Sequence, residues 1–352
     1  MAAAAASWGR CFSPVRLCRR AWRGSNRHYR AARCNELKQP LVIEELAPRP
    51  VLPHEVRVDV HFCGLNFADI LVCRGQYQKK PPLPFTPGME FAGIVMETGA
   101  DVSTVKEGDR VVGMGSFNNM AEQCIMDQKT LWKVPEPVSL RDAAILPITY
   151  NTALMALERR ARTQPGETVL VTAAAGATGL AVIDVATNVL RAKVIAAAGS
   201  DEKCKLAMQK GARWSVNYSQ GGLKEAVRKL VGDGGVNVVI DNVGGDVFLE
   251  ALRSLAWEGR IVVVGFAGGT IPSVPANLLL LKNISAMGLY MSRHLDQNFP
   301  VYYETLASAL RYCQEGRIRP HLGAVFKLEE VNDAFHYVTQ RRSTGKVLIS
   351  LK

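Results

Sequence analysis

The residues best placed to do chemistry lie between positions 169 and 179. Val169-Leu-Val-Thr-Ala173 leads into Ala-Ala-Gly176-Ala177-Thr178-Gly179-Leu. Ala173, Gly176 and Gly179 keep a three-residue spacing in which small side chains let the backbone approach a pyrophosphate. Gly176, Ala177, Thr178 and Gly179 then open a helix, whose free N–H groups and partial positive charge suit an anion. Tight helix–strand packing favours the same small residues. A preceding strand and further βα units after the loop point instead to a dinucleotide.

The end of the next strand bears on which dinucleotide. An NAD site places an acid there, about 20 residues on, for the ribose 2′-hydroxyl. Here Ile195-Ala-Ala-Ala-Gly199-Ser200 ends without a carboxylate, and Asp201 comes late. Ser200 can hydrogen-bond a 2′-phosphate and Lys203 can neutralise it. NADPH is therefore the expected cofactor, with a merely solvated Lys203 as the alternative. Asn242, Gly244, Gly265 and Phe266 follow later strands. Open α/β sheets bind ligands at such carboxyl ends, although turn geometry explains the glycines equally well.

The elements that must position these residues change character along the chain. Residues 35–135 are turn-rich strand material, with Val56-Arg-Val-Asp-Val60 alternating and Pro48, Pro50 and Pro53 as punctuation. Ser139, with Asp142 three residues on, signals a helix start, and a second helix is expected over Thr152–Arg160. Strands are then expected at Thr168–Thr172, Lys193–Ala197, Val236–Ile240 and Arg260–Val264, with helices near 178–190, 202–210, 222–231 and 246–256. That alternation predicts a parallel doubly wound sheet. A helix near 301–315 and a strand at Lys346–Leu351 close the chain.

Composition excludes several classes. The 352 residues are 48% hydrophobic and 21% charged, which suits about two globular domains. The net charge is +11, but residues 1–34 hold eight arginines, no lysine and no acid. The other 35 basic residues face 32 acidic ones, so the remainder carries only +3 and nucleic-acid binding loses its main support. The Ala- and Arg-rich segment, with Trp8, Phe12, Leu17 and Trp22 between its charges, has the pattern of a mitochondrial transit peptide. A basic arm for nucleic acid is the alternative. Arg27-His28-Tyr29 reads as a processing site cut after Tyr29 or a few residues later. Cys11, Cys18 and Cys34 fall in this segment, and Cys63, Cys73, Cys124, Cys204 and Cys313 are scattered. No Cys-x-x-Cys occurs, so a reducing compartment and no Cys-rich metal site are expected. No run of 18 apolar residues offers a membrane span.

A set of motifs carries a resemblance. They are Gly64-Leu-Asn-Phe-Ala-Asp69, Arg74-Gly-Gln-Tyr77, Pro87-Gly-Met-Glu-Phe-Ala-Gly93, Gly108-Asp-Arg-Val-Val112, the 173–179 loop, Asp241-Asn-Val-Gly244 and Gly345-Lys-Val-Leu348. With them, residues 35–352 resemble the quinone oxidoreductase branch of the medium-chain dehydrogenase/reductase superfamily. The resemblance implies an α/β protein. A GroES-like β-rich catalytic domain at 31–155, resumed at 293–352, would flank a Rossmann domain at 156–292, with the transit peptide at 1–30.

Zinc-dependent members of that superfamily need a Cys where this chain has Asn66 and a His where it has Met89, and the four-Cys structural lobe is missing here. Neither residue suits zinc, so no metal site is expected. The resemblance implies hydride transfer from NADPH to a quinone or another electron-poor acceptor. It places Asn66 and Tyr77 in the cleft, with Asn66 bonding the nicotinamide ribose or an acceptor oxygen. Tyr77 would donate to a developing oxyanion, unless it simply packs on Pro81–Pro84. Asp69 would brace its turn. Thr152 matches a nicotinamide contact, or is a helix N-cap. Tyr218 matches a residue that packs on the 2′-phosphate. Arg341 and Arg342 read as surface charges, with a salt bridge or a reach to the cofactor phosphate as the alternative. A homodimer through Ile271–Ile284 and a matrix location complete the expectation. The alternatives are an enoyl-thioester or alkenal reductase with Tyr77 as proton donor, and a cofactor-binding protein with little turnover.

Overall fold

The computed structural model describes residues 28–352. β1 (Tyr29–Arg33) pairs antiparallel with β2 (Val42–Leu46). β3 (Glu55–Leu65), β4 (Glu90–Thr98), β5 (Arg110–Met114), β6 (Gln123–Asp127) and β7 (Leu131–Lys133) form most of a second sheet. In β3, Val56, Val58 and Val60 are fully buried, as the two-residue period of a half-buried strand requires. α1 (Phe67–Cys73) follows β3 directly.

After β7, Ser139 caps α2 (Leu140–Ala143) by accepting from Asp142 N at 3.0 Å, as the sequence signalled. α3 (Asn151–Leu154) lies between the π-helical turns Leu146–Tyr150 and Met155–Arg160, so the run is helical from Leu146 onward. Thr152 is therefore interior and buried, and its N-cap alternative falls. Leu146, Leu154, Met155 and Leu157 are almost fully buried there. Each such side chain contributes about 1.5–3 kcal/mol by leaving water.

The second half contains β8 (Thr168–Thr172), β9 (Lys193–Ala198), β10 (Trp214–Asn217), β11 (Val236–Asp241), β12 (Leu255–Val263) and β13 (Ser285–Gly288). They form one sheet in the order β10-β9-β8-β11-β12-β13, with every pairing parallel. This is the doubly wound order, and its direction reverses between β8 and β11. The crossovers use α4 (Ala177–Asp184), α5 (Asp201–Gln209), α6 (Leu223–Val231), α7 (Gly245–Arg253) and α8 (Ala276–Lys282). The short edge strands β10 and β13 lack the apolar run that marked the four inner ones.

α9 (His294–Gln297) and α10 (Phe299–Gln314) lead back to the first half, where β14 (Leu322–Lys327), α11 (Val331–Thr339) and β15 (Lys346–Ser350) complete its sheet. Two registers there matter for the site. β15 pairs with β3 at Val347↔Leu65, and β3 pairs with β4 at Gly64↔Glu90. Lys346, Asn66 and Glu90 therefore converge at one end of three adjacent strands.

The transit-peptide expectation falls, apart from His28–Arg30, outside the described residues. Two of the eight N-terminal arginines belong to the folded body. Arg30 bonds Glu122 through its backbone N and its Nε, each at 2.8 Å, and Arg33 donates to Pro84 O at 3.0 Å. Cys34, counted with the tail in the sequence, is buried in the first-half core.

Candidate functional site

The phosphate loop follows β8. Ala173 adopts a left-handed φ of 48°, and its carbonyl accepts from Gly176 N at 2.9 Å. A Cβ at Gly179 would sit 2.4 Å from that carbonyl oxygen, so the turn itself demands glycine. Gly176 caps α4 without any side-chain cap bond, so no side chain competes with an anion for the first-turn amides.

The neighbouring strand end is locked to this one. Asp241, fully buried, accepts from Thr172 Oγ1 at 2.7 Å and from Gly244 N at 2.9 Å. Burial pushes its carboxyl up from the usual range, and these hydrogen bonds oppose the rise. Asn242 donates its backbone N–H to Thr172 Oγ1 at 2.9 Å and its side-chain amide to Thr172 O at 3.0 Å. One side-chain N–H and the side-chain oxygen keep spare capacity for a ligand. A Cβ at Gly265 would meet nothing closer than 3.8 Å, so the bend after β12 leaves an open cradle. Phe266 lies beside it, half exposed.

A basic cluster stands at the end of β9. Lys203 Nζ donates to Arg341 O at 2.6 Å, and the Arg341 guanidinium donates to Ala267 O at 3.4 Å. Burial and then the Arg341 charge hold the Lys203 ammonium below its usual range. Tyr218 joins them, with its hydroxyl oxygen 3.6 Å from a Cβ built at Gly199 and its ring within the field of Arg341. Neither cation has a carboxylate partner among the described residues. Two like charges near one another without an acid repel, and an anion between them would relieve that repulsion. Ser200 spends its oxygen on Lys203 N at 3.3 Å as the cap of α5, and the nearby Asp201 is taken by Asn217 Nδ2 at 2.8 Å. Arg341 is an exposed surface charge, as expected, but lies beside Lys203. Arg342 stacks on Tyr337, 5.5 Å from the ring centre, and remains one.

A second cluster is built on β3 and α1. Asp69 accepts from Asn66 N at 2.8 Å and from Gly88 N at 3.1 Å, and so braces the turn. Burial pushes its carboxyl up to about 7 against those two bonds. Asn66 is half-buried, and its side chain donates to Glu90 Oε1 at 2.8 Å and to Gly64 O at 3.3 Å. Its Oδ1 accepts from Lys346 Nζ at 2.7 Å. Lys346 also pairs with Glu90, and both side chains are at most 1% exposed. The other Glu90 oxygen accepts from Ile148 N at 2.8 Å. Glu90 and Lys346 stand inside quoted motifs but were not singled out as site residues. A buried acid in β4 and a buried lysine in β15 read in sequence as ordinary strand positions.

Tyr77 lies on the loop beyond α1, its ring half-buried against the first-half core. Its hydroxyl meets those of Tyr290 and Ser292 from the segment after β13. Burial first, then Tyr290, holds its proton well above the ordinary phenol range. Lys79 on the same loop reaches Asp296 of α9 at 3.7 Å, so this loop meets the segment that follows β13. Tyr77 thus packs and also presents a polar tip, which leaves both readings of it standing. Tyr290 was missed because it follows a short edge strand with no motif around it.

Zinc does not fit here. Met89 is buried in the core, and the neighbouring Cys63 is fully buried with its thiol pushed far up by burial. The charge beside Glu90 is already balanced by Lys346. Among the described residues no group of three His, Cys, Asp or Glu side chains could hold a metal ion.

Residues 52–136 match the alcohol dehydrogenase GroES-like domain family, and residues 177–308 match the zinc-binding dehydrogenase family. A quinone oxidoreductase-like protein 2 from Bos taurus is 76% identical over 348 residues, 99% of this chain and 100% of that one. The chain belongs to the quinone oxidoreductase family of the medium-chain dehydrogenase/reductase superfamily. Quinone oxidoreductase from Mus musculus is 33% identical and covers 92% of this chain and 98% of its own. The quinone oxidoreductase from Thermus thermophilus, described also in complex with NADPH, superposes with a TM-score of 0.80. It shares 32% identity and covers 91% of this chain and 99% of its own. The GroES-like and Rossmann expectations hold.

Proposed function

We propose that this oxidoreductase binds NADPH across the cleft between its halves and passes a hydride to a quinone or a similar electron-poor acceptor without zinc. The observation that carries the reading is the carboxylate-free pair of Lys203 and Arg341 beside Tyr218, together with the first turn of α4, which no side chain caps. Lys203, Arg341, Tyr218 and Ser200 would hold the 2′-phosphate. Ala173, Gly176, Ala177, Thr178 and Gly179 would hold the pyrophosphate, with Asn242, Gly265 and Phe266 beside the adenosine-to-nicotinamide track. Thr152 and Asn66 would meet the nicotinamide half.

Reduced nicotinamide supplies the hydride when bound. The protein excludes water, orients both partners and stabilises the oxyanion that forms on the acceptor. Tyr77, which keeps its proton firmly, donates to that oxyanion. Tyr290 and Ser292 flank the phenol and help to orient it.

The test is NADPH oxidation by the purified chain with ortho- and para-quinones, and then with enoyl thioesters. Turnover with quinones supports the reading; turnover confined to thioesters assigns the acceptor to activated alkenes. Thermal stabilisation by NADPH without turnover on any acceptor rejects catalysis and leaves a cofactor-binding protein.

Two further proposals concern setting. β13 is an edge strand, and Ile271, Leu280 and Leu281 beside it are 74%, 79% and 68% exposed. An apolar edge of this kind calls for cover, and the proposed cover is a second copy of the chain. Leu280→Glu with Leu281→Glu should then halve the sedimenting mass; a mass that starts and stays monomeric rejects it. Among the described residues no helix is long and apolar enough to cross a membrane. Import into the mitochondrial matrix rests on the arginine pattern alone. Deleting residues 1–29 should abolish import, and unchanged import rejects the assignment.

A further inference from the structure

The buried pair of Lys346 and Glu90 has no place in the hydride-transfer scheme above, yet it controls one residue that does. An ammonium only donates hydrogen bonds, and a carboxylate only accepts them. Lys346 Nζ therefore faces Asn66 Oδ1, and Glu90 Oε1 faces Asn66 Nδ2. The amide has one orientation available and cannot flip. Both of its N–H groups are committed, to Glu90 and to Gly64 O. Its oxygen has a second lone pair and only one partner. Asn66 can thus accept one more hydrogen bond and donate none.

We infer that Lys346 and Glu90 are positioning residues that fix Asn66 as a pure acceptor, whose partner is a hydroxyl of the nicotinamide ribose and not the oxyanion of the acceptor. This rests on the cofactor reading above and narrows it. An oxyanion needs a donor, which Asn66 does not have to give. A ribose hydroxyl needs an acceptor, which Asn66 Oδ1 supplies.

The arrangement also ties Asn66 to the phosphate loop. Gly345 N, one residue before Lys346, donates to Ala175 O at 2.8 Å, and Gly345 bridges to Gly176. Gly345 has a φ of 62°, and a Cβ there would lie 2.5 Å from His321, so this approach needs glycine. One short stretch therefore holds the pyrophosphate loop on one side and the amide of Asn66 on the other.

The test uses the double variant Glu90→Gln/Lys346→Met in the full chain. Removing Lys346 alone strands a buried carboxylate and risks unfolding, whereas replacing both partners with neutral groups of similar volume is tolerated far better. Binding is measured calorimetrically for NADPH and for adenosine 2′,5′-bisphosphate, which has no nicotinamide ribose. The double variant should weaken NADPH about tenfold, the worth of a hydrogen bond to an oriented polar group, and leave the bisphosphate within about twofold. In an Asn66→Ala background the same two substitutions should change NADPH affinity by less than about twofold, because the pair acts through Asn66.

Equal weakening of both ligands overturns the inference, since that is what general loosening produces. So does an undiminished loss in the Asn66→Ala background, or no loss at all. A wild-type chain that binds neither ligand overturns the cofactor reading itself, and does so before any variant is compared.

Discussion

The two ends of the proposed cofactor site are assembled from different materials. At the phosphate end the groups are backbone amides of one turn, supplied by a run from Thr172 to Gly179, with Lys203 one strand further on. At the hydride end the groups are side chains from three strands, and Lys346 meets Asn66 across 280 positions of sequence. The first end depends on steric space: a Cβ at Gly179 collides with backbone that cannot move aside. The second depends on charge and hydrogen-bond capacity, where a buried ammonium and a buried carboxylate dictate how one amide turns. The proposed phosphate site should therefore be lost by adding a methyl group, and the proposed hydride site by removing a partner far along the chain.

The sharpest way to break this contrast is Gly179→Val. With only 2.4 Å available to a Cβ, the loop must shift, and NADPH affinity should fall at least about 100-fold. Calorimetry that finds affinity preserved would show that the amides of this turn do not hold the cofactor.

Next in size is the basic cluster. Arg341→Ala and Lys203→Ala should each weaken NADPH by about tenfold to 100-fold, the range for a charged hydrogen bond, and leave NADH nearly unchanged. Weakening of both cofactors alike would move these cations away from the 2′-phosphate.

Asp69 tests the electrostatics of the hydride end. Its folded carboxyl titrates near 7 and its unfolded one near 3.8. Between those values the folded state holds the extra proton, so this group's contribution to stability falls as pH rises through that window. Asp69→Asn removes the titration but also one of two acceptors. The variant should be the less stable at pH 5, and the gap should narrow by roughly 2 kcal/mol by pH 8. Urea unfolding at the two pH values measures it, and a constant gap contradicts the buried-proton account. The smallest effect belongs to a purely local signal: Ser139→Ala, which removes the acceptor for Asp142 N, should cost about 1 kcal/mol at any pH.

The inner strands, the α2 cap and the glycine turn were all legible in the sequence, because each is written in residues close to one another. The strand ends at Thr168–Thr172 agree with expectation residue for residue. Thr152 was misread as a possible cap because π-helical turns extend its helix back to Leu146, and nothing in the local pattern distinguishes the start of a buried helix from its middle. That Arg341 lies beside Lys203 was not legible, because the contact depends on where a loop near the end of the chain docks on Ala267. Tyr290 gave no signal at all, since only the approach of the Tyr77 loop supplies its partner.

By itself the sequence determined the parallel sheet, the turn that opens α4 and the unsuitability of Asn66 and Met89 for zinc. All three follow from side-chain size, period or donor chemistry at known positions. Tertiary structure alone decided that Lys346 and Glu90 hold Asn66 in one orientation, and that Arg341 joins Lys203. Strand register brings the first set together and a docked loop brings the second, and a register is fixed by the packing of the whole sheet and not by the residues it juxtaposes.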